Sequence, residues 1–192
     1  MKASGFRRLL GLMKTNLKKA SQSLAKVLRK GRQRLVLAES CTGGILASLL
    51  TEIPGISDLF CGSLVVYREE SKRRWAGVRA STLSRKSAVS AEVAEELARG
   101  LLRNTPEATI AASVTGYLGP AGKKVGLAYV AVLIRGNPAA QVHELDLRLK
   151  PRSSRSAVEA RLELRDLAAY SVLVAIQSAL TSSSPKMKRS SN

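Results

Sequence analysis

Three side chains offer the residue types that a nucleophile and its helpers need: Ser40, Tyr67 and Lys72. Ser40 stands where an apolar run, Leu35-Val36-Leu37-Ala38, stops at Glu39, and where Gly43 and Gly44 lead into a second apolar run from Ile45 to Leu50. That order predicts a strand, a tight turn and a helix start with a hydroxyl at the corner. The first-turn N–H groups and the positive end of such a helix can stabilise an oxyanion or a phosphate beside Ser40. The same residues also read as a plain βα turn, with Ser40 or Thr42 capping the helix and the glycines permitting unusual φ. Acyl transfer further needs a proton shuttle. The only histidine, His143, lies in an alternating, strand-like stretch without Cys or His neighbours at ligand spacing, which excludes a visible metal cluster as well as a Ser-His pair. A Ser, Tyr and Lys set is the available substitute, with Tyr67 at a strand end and Lys72 about one helical turn further on. A lysine acts as base only when burial or a neighbouring cation lowers its pKa, and Arg68, Arg73 and Arg74 are placed to supply such a field. Tyr67 reads equally as a packing residue and Lys72 as one charge on a solvated face. Cys41 is intrinsically the better nucleophile, but neighbouring side chains on a corner point different ways, so it reads as a small core residue.

The elements that must hold these residues follow from periodicity and punctuation. Strands are expected at 35–38, 60–67 and 108–114, and a hairpin from Val125–Ile134 and Gln141–Leu149 turns at Arg-Gly-Asn-Pro. Helices are expected at 21–30, ended by Gly31, then at 43–52, 69–75, from Ser90 to about Arg103, and from Ser153 to Leu180. Strands interleaved with helices and then a hairpin imply an α/β fold: one three-layer α/β/α domain with a mixed sheet and its site at the strand ends.

The chain is long enough for a real core, with 192 residues of which 45% are hydrophobic. Its net charge of +18 would suggest nucleic acid, but the charge is concentrated at the ends. Residues 1–34 hold eleven Lys or Arg and no acid, and 182–192 hold three more. The body therefore divides into a basic extension, 1–21, a globular domain, 22–181, and a basic tail, 182–192, expected to be disordered. In the extension, Leu9, Leu10, Leu12, Met13 and Leu17 form an apolar helical face against Arg7, Arg8, Lys14, Lys18 and Lys19, able to lie on anionic lipid or RNA. Nonspecific contact with polyanions is expected through these termini. Two cysteines exclude a disulfide framework, and no apolar run is long enough for a leader or a membrane span, so a cytoplasmic location is expected.

Ala38-Glu39-Ser40-Cys41-Thr42-Gly43-Gly44, then Pro54-Gly55, Gly62 to Tyr67 with Lys72 and Gly77-Val78, Ala88-Val89-Ser90, and Val114-Thr115-Gly116 with Gly119-Pro120, resemble in unbroken order the C-terminal domain of the CinA family. The resemblance runs from about residue 22 to 181. It implies a cofactor-free amidohydrolase converting nicotinamide mononucleotide to nicotinate mononucleotide and ammonia, in a dimer. It places the catalytic serine, tyrosine and lysine on Ser40, Tyr67 and Lys72. Substrate-binding candidates are Glu39, Thr42, Gly43, Gly44, Thr115, Gly116 and Arg155, with Arg152 as a rival for the last; Ser154-Arg155 is the nearest match to the family's Gly-Asp-Arg. Two departures stand out. Tyr67-Arg68-Glu69-Glu70 replaces Tyr-Ser-Asn-Glu, and the loop from Gly119 to Leu127 is short and lacks the family's later proline and threonine. They raise an alternative: a catalytically weak member that binds a nucleotide, nucleic acid or protein.

Overall fold

The computed structural model describes residues 3–119, 122–149 and 155–182, with 3–10 described as backbone only. Pro120 of the Gly-Pro loop, Arg152, Ser154 and the tail from 183 lie outside the described residues. The chain runs α1 (Ala3–Gly31), β1 (Leu35–Glu39), α2 (Ile45–Thr51), β2 (Phe60–Val65), α3 (Glu69–Ala76), α4 (Ala80–Lys86), α5 (Ala91–Asn104), β3 (Ile110–Gly116), β4 (Leu127–Ile134), β5 (Gln141–Asp146) and α6 (Ala157–Ser182). The strands form one mixed sheet in the order β2-β1-β3-β4-β5. β1 pairs in parallel with β2 and β3, and β3, β4 and β5 pair antiparallel.

Alternation along the strands divides the core in two. Leu35 and Leu37 face α1, α2 and α6, whereas Val36 and Ala38 face α3, α4 and α5. This is the three-layer α/β/α arrangement that the order of elements implied. β1 hands the chain to β2 on one flank while β3 pairs on the other, so the sheet changes direction at the end of β1. The crevice beyond its carboxyl end is where an open α/β sheet places a ligand.

Two elements depart from expectation. α1 does not begin near Ser21 but is one continuous helix from Ala3, and Leu17, Leu24 and Leu28 are all buried. The packed body thus reaches back past residue 21, because Leu17 continues the i, i+7 stripe of Leu24. α4 was not expected at all: Ala-Ser-Thr-Leu-Ser-Arg-Lys has no apolar period, and only Thr82 and Leu83 are buried. The other elements lie within a few residues of expectation, and Ser90 caps α5 by accepting the Val93 N–H at 3.3 Å. α5 also presses against α3: a Cβ on Gly100 would lie 1.7 Å from the Ala76 carbonyl oxygen, so only glycine allows this approach.

Candidate active site

The turn after β1 is built around Glu39. Its carboxylate is fully buried and accepts the N–H groups of Gly44 (3.0 Å), Leu46 (3.1 Å) and Ala47 (2.9 Å) and the Ser63 hydroxyl (3.0 Å). Gly43 and Gly44 take positive φ, 64° and 95°, to bring those amides round. This corrects the expectation for α2: its first-turn donors already serve a carboxylate of the chain itself and are closed to an oxyanion or phosphate. Neither Ser40 nor Thr42 caps the helix, and the Thr42 hydroxyl is buried without a hydrogen bond. Glu39→Ala would orphan the buried Leu46 amide and the part-buried amides of Gly44 and Ala47, and an unfolding titration should show a loss of about 2–4 kcal/mol, more than a surface carboxylate can cost.

With the turn fixed, Ser40 sits at the mouth of the crevice, its own N–H held by Val114 O at 3.1 Å. Lys72, from α3, is 1% exposed and its Nζ lies 2.8 Å from Ser40 Oγ and 2.7 Å from Val66 O. Burial is the main cause that pulls its pKa down, to about 8 from 10.5, partly opposed by Cys41 and Glu69. The expected cause was different. Arg73 and Arg74 do not aim a field at Lys72; both bind Glu70 on the outside of α3. At neutral pH roughly one-tenth of the lysines are neutral, with a lone pair for the Ser40 proton and an N–H still anchored on Val66 O. Cys41 is buried, and the loss of hydration pushes its thiol up to about 12, so it is a protonated wall residue beside the hydroxyl.

A cavity of about 300 Å³ collects Ser40, Cys41, Tyr67, Lys72, Thr115, Gly116, Tyr117 and Arg161, among others. Tyr67 is 59% exposed and its hydroxyl accepts from the Arg161 guanidinium at 2.7 Å. That leaves the phenolic proton free to donate into the cavity. The Thr115 hydroxyl donates to Ala88 O at 2.8 Å and pins the wall loop. Gly116 has no room for a side chain, since a Cβ would stand 2.7 Å from Ala128 Cβ and 3.1 Å from Cys41 Sγ.

The structure therefore brings together Ser40, Tyr67, Lys72, Thr115 and Gly116, and leaves Glu39, Thr42, Gly43, Gly44 and Arg155 out of the cavity wall. Arg155 is paired with Glu163 at 3.2 Å, and both side chains are nearly buried. Arg161 takes the position at the cavity. It lies three and seven residues before Leu164 and Ala168, which are buried, so it is an arginine in the sheet-facing stripe of α6. An arginine interrupting an apolar stripe was the available signal. His143 lies in β5 opposite Val130, away from this cavity, and among the described residues no group of three or more His, Cys, Asp or Glu could hold a metal ion. No helix among the described residues is long and apolar enough to cross a membrane.

Comparison with known proteins matches residues 17–167 to the CinA C-terminal domain family. A CinA-like protein of Myxococcus xanthus is 45% identical over 115 residues, 58% of this chain and 27% of that protein. A CinA-like protein of Thermotoga neapolitana is 38% identical over 119 residues, 60% of this chain and 29% of that protein. The chain thus spans less than a third of the length of such curated relatives. Among solved structures, a competence/damage inducible protein, CihA, from Agrobacterium tumefaciens is similar with a TM-score of 0.70 and 31% identity, over 84% of this chain and 95% of that one. A CinA superfamily protein from Klebsiella pneumoniae gives a TM-score of 0.76 at 26% identity, over 86% and 98%.

Proposed function

We propose that this chain, which belongs to the CinA C-terminal domain family, hydrolyses the carboxamide of nicotinamide mononucleotide to nicotinate mononucleotide and ammonia. The observation that carries the reading is the buried contact of 2.8 Å between Lys72 Nζ and Ser40 Oγ. Neutral Lys72 takes the hydroxyl proton as Oγ attacks the amide carbon, and the tetrahedral oxyanion forms. Lys72 then returns the proton to the amide nitrogen, ammonia leaves, and the nicotinoyl group stays on Ser40 as an ester. A water deprotonated by Lys72 attacks that ester, the acyl–Oγ bond breaks, Lys72 returns the proton to Ser40 Oγ, and the product acid leaves as the carboxylate with its proton lost to solvent. Tyr67, with its oxygen held by Arg161, donates a hydrogen bond to the oxyanion in place of the amides that Glu39 occupies. Arg161 is also the partly buried cation of the cavity wall, suited to the substrate phosphate. A metal or cofactor has no part in this sequence of steps.

Ammonia release on adding nicotinamide mononucleotide is the direct test; its absence at high enzyme concentration over pH 7–9 would remove this substrate. Nicotinamide riboside, which lacks the phosphate, should raise KM at least about tenfold, the loss of one charge-assisted anchor. Equal kcat/KM for the two compounds would overturn the mononucleotide assignment while leaving amide hydrolysis standing.

A further inference from the structure

Tyr67 lines two recesses. Beyond it, on the outer side of the cavity, lies a groove of about 660 Å³ formed by Val65, Arg68, Glu70, Ser71, Arg74 and Trp75. Trp75, the single tryptophan of the chain, is 55% exposed there, and Tyr67 and Val65 are also exposed. Only seven aromatic residues occur in the whole chain, so two placed largely bare along one groove are an unusual use of apolar surface. The groove is also cationic. Glu70 is neutralised by Arg73 and Arg74 together, and Arg68 enters no ion pair among the described residues. Exposed aromatics beside guanidinium groups are what a planar base carrying a phosphate requires.

We propose that this groove binds a purine nucleotide unit, its base against Trp75 and Tyr67 and its phosphate at Arg68, next to whatever occupies the Ser40 cavity. The groove is more than twice the volume of the cavity and shares Tyr67 with it, so a ligand with two nucleotide units would pass Tyr67 to reach both. The proposal rests on the amide-hydrolase reading only for which end of such a ligand enters the cavity; binding in the groove does not need Ser40.

The test uses adenosine 5′-monophosphate and the emission of Trp75. In the full chain carrying Ser40→Ala, the nucleotide should quench Trp75 saturably, with Kd of about 0.1–1 mM, the range that one stacking contact and one phosphate contact provide. Ribose 5-phosphate should bind at least about tenfold more weakly, and Arg68→Gln should weaken the nucleotide by a similar factor. By calorimetry, Trp75→Ala should lose binding, and with Ser40 intact its ammonia release from nicotinamide mononucleotide should stay within about twofold of the unsubstituted chain, since Trp75 does not line the cavity. No saturable quenching up to about 10 mM overturns the proposal. So does an emission change that follows protein concentration and dimer formation instead of nucleotide, which would give the groove to a second copy. Nucleotide binding without any amide hydrolysis would uphold the groove and discard the reaction.

Discussion

Ser40→Ala should lower turnover by at least about a hundredfold and leave the fold intact, checked by ammonia release beside a thermal unfolding curve. The size follows from the role. Without Oγ no ester can form, and what remains is water attacking directly under Lys72, in a cavity shaped to aim a different atom. The structural cost is small because the corner is not held by the side chain. Ser40 N–H keeps Val114 O, Glu39 keeps the start of α2, and Lys72 keeps Val66 O. Only the Lys72 contact to Oγ is lost, worth about 1 kcal/mol. Retention of most of the activity would show that water is the nucleophile, and an unfolded variant would show that the hydroxyl is structural.

Lys72→Met should lower turnover to a similar degree, and its expected effect on stability changes with pH in a way that separates chemistry from packing. The folded-state pKa of about 8 lies below the free value of 10.5, so between these the unfolded chain binds more protons than the folded one. Stability of the parent therefore rises as pH goes from 8 to 10.5, by a total of about 3 kcal/mol if Lys72 acts alone. Below pH 8 the amine is protonated in both states and contributes no slope. The methionine variant lacks the titration, so its melting temperature relative to the parent is highest at pH 7 and falls steadily above pH 8. A constant difference from pH 7 to 10.5 would mean that Lys72 is not desolvated. In the parent, kcat/KM should rise with pH and level off above about 8; a flat profile from pH 6 to 9 would remove Lys72 as the base.

Much of this was readable from residue order, and the failures have particular causes. The strand at Leu35-Val36-Leu37-Ala38, the corner at Ser40 and the hairpin at Arg-Gly-Asn-Pro are local patterns that burial then enforces. Lys72 stood in a run that looked like a solvated face, Arg-Glu-Glu-Ser-Lys-Arg-Arg, and its burial depends on α3 packing over β1, which no neighbour in sequence reveals. The same gap hid the cause of its lowered proton affinity, because the nearby arginines are conspicuous in sequence and face outward in space. Glu39 looked like a ligand-facing carboxylate, yet it folds back on the amides five to eight residues later. In sequence Arg155 competes with Arg152, and Arg161 does not stand out, because its place at the cavity depends on the rotational phase of α6. Spacing to a family motif cannot fix that phase, whereas the buried positions Leu164 and Ala168 do.

The close approach at Gly100 bears on a property that belongs to neither helix alone. α3 carries Lys72, and the missing side chain of a residue twenty-eight positions later lets α3 settle against α5. The depth of that seat governs how much water reaches the amine, and hydration is what its proton affinity answers to. A single methyl group at position 100 would lift the helix, wet the amine and draw its pKa back toward the value of a free lysine. On the proposed reaction, Gly100→Ala should therefore move the rise of kcat/KM to higher pH, a packing distance on the far side of the helix acting like a valve seat cut in a different part of the molecule.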